Sequence, residues 1–363
     1  MMKHHMRTRR NFLKMGSLAG AGFLCGCTAS SETRALANTM PNHHTLDGFQ
    51  NFPPIPKSSG LGLEFWWNRT KASFNSPVIP EDHYLPEKQA LQNYDNLKEK
   101  NTLTWLGQNT FLLKINNKVI LTDPFFDEYV DPFRTVKRFL PPGISQENLP
   151  PVDFIVLSHN HRDHLSEDVI ELLPNKERIQ VFVPLKMRPF FAKRGYSQIH
   201  ELDWHESFSI GGIKITSLPA VHYSGRGLWD KNETLWCSWA IMSDTGKYYF
   251  SGDTAYSPTI FKMIGKDYGP FDLSMMTIGT YGNRKYGINN HANPEEAITM
   301  GLDIKTDISV GMHWGTIDLS EEPPWEPPER FRASAAKAGI PQEKTWIMKI
   351  GETRLLPGKK IVV

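Results

Sequence analysis

Three histidines and an aspartate fall within six consecutive positions of the segment "LSHNHRDHLS", which follows the apolar run "VDFIVL". They are His159, His161, Asp163 and His164. Because the strand-like run ends at Ser158, these side chains can point away from one loop instead of alternating across a strand. Neutral imidazole and carboxylate suit zinc, which in catalytic sites keeps one position open for water. The pattern predicts that two metal ions share this loop.

Four ligands are too few for two metal ions, so we expect partners elsewhere in the chain. Three candidates directly follow apolar, strand-like runs: His222 in "SLPAVHYS", Asp253 in "YYFSGDTAYS" and His313 in "ISVGMHWGT". Each of them taken alone is compatible with a structural role, the histidines in the core and the aspartate in a turn. Together with the loop they complete a set of seven ligands for a metal pair.

Short strands and helices alternate over the part of the chain that must position these residues. A hairpin with its turn at Asn116-Asn117 is predicted within "TLTWLGQNTFLLKINNKVILTDPFF". Further strands are predicted for "VDFIVLSH", "IQVFVP", "KITSLPAVHY", "WCSWAIMS", "KYYFSGD", "LSMMTIG" and "ISVGMHWG". Helices are predicted for "LSEDVIELLP", "MRPFFAKRG", "SPTIFKMIGKDYG", "NPEEAITMGLDI" and "PERFRASAAKAG". This alternation across two halves indicates paired sheets covered by helices.

The composition is that of a globular chain of 363 residues, which can bury one large core or two modest ones. Its 41 basic and 39 acidic residues give a formal charge of +2 without a long block of one sign, so no nucleic-acid partner is predicted. Cys25 and Cys27 are close together and Cys237 stands alone, which argues against an internal disulfide framework. Cys237 is expected to be a small buried residue.

The N-terminus resembles an export signal. Arg9 and Arg10 in "TRRNFLK" precede an uncharged, Gly/Ala-rich stretch, as in a twin-arginine signal, which carries folded proteins across the bacterial inner membrane. An ordinary basic amphipathic N-terminus is the alternative. The segment "LCGC" resembles a lipobox that would make Cys27 a lipidated first residue, whereas Ala35-Leu-Ala37 offers an ordinary cleavage site. We therefore expect the twin-arginine translocase as a partner and the bacterial cell envelope, in the periplasm, as the location.

The seven candidate ligands, in this order and context, resemble those of the metallo-β-lactamase superfamily of binuclear metallohydrolases. Segments between Gly48 and Leu356 are similar to the N-acyl-phosphatidylethanolamine-hydrolysing phospholipase D branch of that superfamily. Among them are "ILTDPFF", "LPPVDFIVLSHNHRDHL", "FSGDTAYSPTIF", "NHANPEEA" and "MHWGTIDLSEEPPWEPPERF". The chain departs from the branch where "LGQNT" replaces the usual "LGHAT", which places Gln108 at a histidine position that is not a metal ligand in the family.

The resemblance implies an α/β fold, the metallo-β-lactamase αββα sandwich with two mixed sheets covered by helices. It also assigns the candidate ligands to two Zn²⁺ ions: His159, His161 and His222 to one, Asp163, His164 and His313 to the other, with Asp253 bridging both. Such a pair lowers the pKa of a shared water and stabilises the attacking and leaving oxygens of an in-line displacement. The implied catalytic residues are Asp163, Asp253 and His291.

Several neighbouring residues have open roles. Asp123 in "LTDP" either orients a ligand imidazole or forms a plain turn, and Gln108 is a second candidate for a supporting contact. His291 either acts on the phosphate or the leaving oxygen, or it is a loop histidine beside a helix capped by Asn293. Arg226 either meets a phosphate or is a surface charge.

These observations predict an exported binuclear zinc phosphodiesterase that hydrolyses N-acyl-phosphatidylethanolamine, or a related phospholipid, to N-acylethanolamine and phosphatidic acid. The alternatives are a metal-dependent lactonase or another phosphodiesterase, and a non-catalytic zinc-binding lipoprotein. A membrane surface is an expected partner, with the Trp66-Trp67 pair as a candidate contact. The predicted organisation is a signal over residues 1–37, a tether and wrapping segment over 38–100, and the hydrolase domain over 101–363.

Overall fold

The structure, a computed structural model, describes residues 41–55, 77–286 and 289–358. The chain divides at Pro41, and every element given below belongs to the unit that runs from Asn42 to Val363. Arg9, Arg10, Cys27 and the Trp66-Trp67 pair lie outside the described residues. Within the described ranges, none of the helices has the length and apolar character that crossing a bilayer requires.

The first of two mixed sheets combines antiparallel and parallel strands. Its members are β1 (Thr102–Gly107), β2 (Thr110–Ile115), β3 (Lys118–Thr122), β4 (Phe154–Val156), β5 (Gln180–Pro184), β6 (Gln198–Leu202) and β14 (Thr353–Leu355). Their order is β14-β1-β2-β3-β4-β5-β6. Pairing is antiparallel from β14 to β3 and parallel from β3 to β6.

The second sheet repeats this division between antiparallel and parallel pairing. Its members are β7 (Ser207–Ile210), β8 (Ile213–Leu218), β9 (Ser238–Met242), β10 (Lys247–Phe250), β11 (Phe271–Thr277), β12 (Thr306–Met312) and β13 (Thr345–Trp346). Their order is β13-β12-β11-β10-β9-β8-β7. Pairing is antiparallel from β7 to β10 and parallel from β10 to β13.

Six α-helices are present in the described residues. They are α1 (Glu87–Asn96), α2 (Glu167–Leu172), α3 (Arg188–Ala192), α4 (Pro258–Asp267), α5 (Pro294–Asp303) and α6 (Glu326–Lys337). Short 3₁₀ helices span Gln146–Asn148, Gly282–Tyr286 and Gln342–Lys344. The predicted cap of α5 is confirmed: the Asn293 side chain accepts from the Glu296 N–H, and the Glu296 side chain accepts from the Asn293 N–H.

Alternate side chains of the first sheet pack into two separate apolar cores. In β2, Phe111 and Leu113 pack into the large core that also contains the strands of the second sheet, whereas Leu112 packs into a smaller core. That smaller core includes Ile170 of α2 and Phe191 of α3. Because successive strand residues point to opposite faces, one face meets the second sheet and the other meets helices. The predicted αββα sandwich is confirmed.

The Asn116-Asn117 hairpin is also confirmed, with both residues in the left-handed conformation at φ of 51° and 61°, as a two-residue hairpin turn requires. Cys237 is buried, as expected. The four edge strands, β6, β7, β13 and β14, were not predicted from the sequence. The residues of β7 are exposed or half-buried, and β13 and β14 have only two and three residues, so these sequences lack a sustained apolar pattern.

Candidate metal centre

The seven candidate ligands lie on loops that leave the carboxyl ends of strands from both sheets. The loop after β4 supplies the His159–His164 group, and the other three residues follow β8, β10 and β12. All seven are buried except His161, which is half-buried. The fold therefore brings residues from four segments of the chain together at one place.

The first cluster consists of three imidazoles and a shared carboxylate: His159, His161, His222 and Asp253. His161 Nδ1 lies 2.7 Å from His159 Nε2 and 3.2 Å from His222 Nε2. A neutral imidazole offers one N–H and one lone pair, so three converging nitrogens cannot all be satisfied by one another. A cation between them would satisfy all three lone pairs.

The second cluster consists of Asp163, His164, His313 and the same Asp253. Oδ2 of Asp163 lies 3.3 Å from His164 Nε2 and 3.4 Å from His313 Nε2. His164 Nε2 is buried without a hydrogen-bond partner among the described residues. Two carboxylate oxygens nevertheless lie within 3.3 Å of this nitrogen, and a cation between them would use the nitrogen's lone pair together with both carboxylates.

Asp253 joins the two clusters through one oxygen. Its Oδ2 is 3.0 Å from both His164 Nε2 and His313 Nε2, and it is 3.7 Å from His222 Nε2 and 3.9 Å from His159 Nε2. The other oxygen, Oδ1, accepts a hydrogen bond of 2.9 Å from Asn109 Nδ2. The carboxylate is thus held so that a single oxygen faces both groups of imidazoles.

The outer nitrogens of four histidines are engaged, which leaves each Nε2 facing the centre. Nδ1 of His159 lies 2.9 Å from Ser158 Oγ, and Nδ1 of His222 lies 2.9 Å from the Asn290 carbonyl oxygen. The same arrangement holds for Nδ1 of His164 with Asp123 Oδ2 at 2.7 Å and of His313 with Thr280 Oγ1 at 3.0 Å. Such outer partners are typical of metal-binding histidines.

The pKa shifts divide these imidazoles into two groups. Burial lowers the pKa of His161 to about 3 and that of His222 to about 4, so both imidazoles are neutral and have a free lone pair. Burial also acts to lower the pKa of His313, but the charges and hydrogen bonds of Asp253 and Asp163 together outweigh it and raise that pKa to about 9. The carboxylates therefore favour positive charge beside them, and a divalent ion would supply it.

Asp123 lies at the end of β3 and connects the backbone of the ligand loop to a ligand. Its Oδ1 accepts from the Ser158 N–H at 2.7 Å, and its Oδ2 accepts from Ser158 Oγ at 2.5 Å while lying 2.7 Å from His164 Nδ1. The residue is fully buried. This geometry fits the predicted orienting role.

Gln108 and Asn109, in the turn between β1 and β2, reach both carboxylates. Gln108 Nε2 donates to Asp163 Oδ2 at 2.9 Å and lies 3.0 Å from His313 Nε2. Gln108 was predicted from the sequence as a supporting residue, whereas Asn109, which hydrogen-bonds Asp253, was not. The side-chain amide of Asn109 is not a typical metal ligand. Its position next to Gln108 was the sequence feature that could have indicated its role.

Gly252 allows the Asp253 loop to approach the ligand loop closely. Its φ is +53°, and a Cβ at this position would lie 2.4 Å from Ser158 Cβ. A side chain there would push the two loops apart. The sequence "SGD" thus places glycine where both the left-handed backbone and the close approach require it.

His291 lies at the edge of the same centre. Its Nδ1 is 3.8 Å from Asp253 Oδ2, and this nitrogen is buried without a hydrogen-bond partner among the described residues. Burial lowers the pKa of His291 well below its usual value, so the imidazole is neutral. Its geometry fits a group that contacts bound substrate better than a loop histidine at a helix cap.

Arg226 makes contacts that neither interpretation from the sequence included. Its guanidinium is mostly buried and donates to the carbonyl oxygens of Asn160 and Leu165, both at 3.0 Å, and to Glu167 Oε1 at 3.1 Å. It is therefore not a free surface charge. Arg226 instead holds the main chain of the ligand loop at Asn160 and Leu165, because its five N–H groups can serve several acceptors at once.

Comparison with known proteins gives relatives over most of the chain. The family described as "Beta-lactamase superfamily domain" matches residues 118–314. An uncharacterised protein of Mycobacterium tuberculosis is 36% identical over 332 residues, which cover 88% of this chain and 86% of that protein. N-acyl-phosphatidylethanolamine-hydrolyzing phospholipase D 1 of Caenorhabditis elegans is 37% identical over 228 residues, which cover 60% of this chain and 64% of the worm protein.

Solved structures with a similar fold include the isothiocyanate hydrolase from Delia radicum gut bacteria. It superposes with a TM-score of 0.57 at 18% sequence identity and covers 71% of this chain and 100% of its own. At this level of identity the likeness concerns the fold alone, and it agrees with the two-sheet architecture described above.

Proposed function

The chain belongs to the β-lactamase superfamily as a metal-dependent hydrolase, and from this we propose that it is a binuclear zinc phosphodiesterase of the phospholipase D type. The observation that carries the proposal is Asp253 Oδ2, which faces the imidazoles of both clusters at 3.0 to 3.9 Å. The substrate we propose is N-acyl-phosphatidylethanolamine or a related phospholipid. The worm relative, which is named for that activity, supports this substrate class.

Two bound zinc ions would supply a water of lowered pKa and would stabilise the phosphoryl oxygens. In the hydrolysis, the water oxygen bonds to phosphorus, the bond from phosphorus to the ethanolamine oxygen breaks, and that oxygen takes up a proton. The chain holds the ligands for this step: Asn109 fixes Asp253, Gln108 fixes Asp163, and Asp123 fixes His164. No protein nucleophile is required.

His291 completes the proposed site on the substrate side. Its neutral imidazole has an unpartnered Nδ1 within the buried centre. That nitrogen can hydrogen-bond an oxygen of the phosphate or assist the departing ethanolamine oxygen. We therefore assign His291 a role on substrate and not a role as a metal ligand.

Metal analysis combined with assays on three substrates tests this function. We expect about two zinc ions at this centre in each chain and faster hydrolysis of N-acyl-phosphatidylethanolamine than of a simple phosphodiester or an acyl lactone. Preference for the lactone would contradict the phosphodiesterase, and preference for the simple phosphodiester would contradict the lipid substrate. Full metal content without hydrolysis of any of the three would indicate a zinc-binding protein.

A membrane surface is the partner that a phospholipid substrate requires, and the loop after His222 is suited to contact it. Leu228 is 88% exposed and Trp229 is 90% exposed on this loop. Transfer of such exposed, large apolar side chains from water into the lipid interface is favourable, and tryptophan is enriched in that interface. We propose that Leu228 and Trp229 insert into the membrane interface beside the metal centre.

Replacing Leu228 and Trp229 with serine is expected to weaken binding to phospholipid vesicles severalfold, because both side chains lose their apolar surface. Vesicle co-sedimentation measures this change, and hydrolysis of a short-chain, water-soluble substrate should be unaffected. Val78→Ser is a matched control, since Val78 is 89% exposed outside this loop. Unchanged vesicle binding of the double variant would remove this loop from the membrane contact.

We propose that the chain is exported folded, after metal loading, and resides in the periplasm, with Cys27 as the site of a lipid anchor if the lipobox is used. Replacing Arg9 and Arg10 with lysine is expected to leave the precursor in the cytoplasm, because this pathway reads the guanidinium pair and not charge alone. Cell fractionation measures the distribution, with Arg7→Lys as the control. Normal export of the Arg9/Arg10 variant would contradict the twin-arginine route.

A further inference from the structure

A second group of potential metal ligands shares no residue with the catalytic clusters. His43, His44 and Asp203 each place one ligand atom within 4.8 Å of the others. Nε2 of His43 is 2.6 Å from Asp203 Oδ1, and Nε2 of His44 is 2.7 Å from Asp203 Oδ2. Two imidazole nitrogens and one carboxylate therefore lie close together, and none of the three belongs to the seven candidate ligands of the catalytic centre.

The orientation of the two imidazoles is set by packing as well as by the carboxylate. The His43 ring stacks on Trp204, with ring centroids 4.1 Å apart and an angle of 17°. The His44 ring contacts Phe49 edge-on at 5.0 Å, and the two imidazoles stand at 80° to each other. Each Nε2 faces a different oxygen of the same carboxylate, and the three ligand atoms are close enough for one ion to contact all of them.

Asp203 is held just as firmly. It directly follows β6, its Oδ1 accepts from the Trp204 N–H at 2.7 Å, and its own N–H donates to Glu206 Oε2 at 2.8 Å. The carboxylate is thus fixed by the main chain of its own turn. Side chains held in this way lose little entropy on binding an ion.

We propose that His43, His44 and Asp203 bind a divalent metal ion of the zinc class. Two imidazoles and a carboxylate are a ligand set that zinc accepts, with water in the fourth position. The three side chains are 10 to 19% exposed, so both the ion and a water can reach them. Ligands at about 2.0 to 2.2 Å from zinc require the two N–O contacts to open by roughly 0.7 Å, which small displacements of the two imidazoles would provide while Asp203 keeps its main-chain contacts.

The ion would fasten the segment 43–51 to the turn after β6, and this segment supports the catalytic centre. Gln50 N–H donates to the His43 carbonyl oxygen at 2.9 Å, which closes the segment on itself. Asn51, the next residue, brackets the main chain of His222: its Nδ2 donates to the His222 carbonyl oxygen at 2.8 Å, and its Oδ1 accepts from the His222 N–H at 3.1 Å. The site is thus a structural metal site beside a predicted catalytic ligand.

Zinc content of the purified full chain, equilibrated against buffered Zn²⁺, tests the proposal through two conservative variants. Asp203→Asn and His44→Gln should each hold one zinc ion fewer than the wild type while they retain the catalytic zinc. His205→Gln is the matched control, because His205 is exposed, lies two positions from Asp203 and hydrogen-bonds Tyr268 instead of the cluster. This variant should keep the wild-type content.

Hydrogen exchange provides a second measurement that does not depend on turnover. Zn²⁺ at about one hundred times its Kd should lower the equilibrium constant for opening of the segment by about one hundredfold. The amides of Phe49 and Gln50 should then exchange more slowly in the wild type and in His205→Gln. No such slowing is expected in the other two variants. Equal zinc content in all four proteins, or zinc-dependent protection that survives in Asp203→Asn and His44→Gln, would overturn the proposal. Neither result depends on which substrate the enzyme hydrolyses.

Discussion

Replacing Asp253 with asparagine is expected to lower turnover by at least about 10- to 100-fold and to leave one metal ion weakly held. The substitution nearly preserves volume but removes the charge of the oxygen that faces His164 and His313 at 3.0 Å. The amide also cannot present an anionic oxygen to both clusters while it accepts from Asn109. Steady-state hydrolysis and zinc content measured on the same sample check the two effects together.

Two comparisons make the Asp253 result interpretable. Asp244→Asn is the same substitution at an exposed carboxylate whose hydrogen-bond donor, within the described part of the chain, is Asn116 Nδ2, and this variant should keep full activity. His291→Ala should retain both metal ions and lose turnover, because its role is assigned to substrate. If Asp253→Asn kept its full zinc content and its turnover, Asp253 would be a plain turn residue and the two-metal proposal would fail at its centre.

The strands and ligand positions could be predicted because each metal-type side chain directly follows an apolar run. A strand that is buried on both faces reads as a continuous apolar segment, and a histidine or aspartate at its end interrupts the pattern visibly. His222, Asp253 and His313 were found in this way, although more than 150 residues separate the first ligand from the last. Their convergence follows from parallel strands, whose carboxyl ends meet at one edge of the sandwich.

The supporting residues were harder to predict, because their chemistry is not specific to metals. Asn109 is an ordinary turn residue by type, and only the fold brings it to Asp253, which is 144 positions away in sequence. Arg226 lies in a glycine-rich loop that is typical of a surface, yet its side chain turns inward to carbonyl groups of the ligand loop. Such contacts depend on loop conformation, which local sequence patterns do not specify.

The same distinction explains why Asp123 had two open roles at the level of sequence. Aspartate before proline is common in turns, so "LTDP" alone favours neither role. The structure adds a φ of +31°, uncommon for a residue other than glycine, and contacts to Ser158 and His164. A strained backbone that directs a buried carboxylate at a candidate ligand favours the orienting role.

Asp123→Asn is therefore expected to have the second large effect, a loss of about 10- to 100-fold in zinc affinity or turnover. In the wild type, the carboxylate accepts from the Ser158 N–H, from Ser158 Oγ and from His164 Nδ1–H. An amide has one acceptor oxygen, so its NH₂ group must face one of these donors. If it faces His164, that ring turns or changes tautomer, and Nε2 no longer points at Asp253.

The matched control for Asp123 is Asp153→Asn, because Asp153 precedes β4 and therefore lies at the opposite end of the same pair of strands. Its carboxylate also accepts from a main-chain N–H, that of Val119, and pairs with Lys118, so its loss costs stability without touching the metal centre. Competition with a chelator measures zinc affinity, and thermal unfolding measures stability. An orienting Asp123 requires that zinc affinity fall in Asp123→Asn and not in Asp153→Asn. If both variants lost stability alone and retained wild-type zinc affinity and turnover, Asp123 would be a structural turn residue, and His164 would keep its orientation through the surrounding packing.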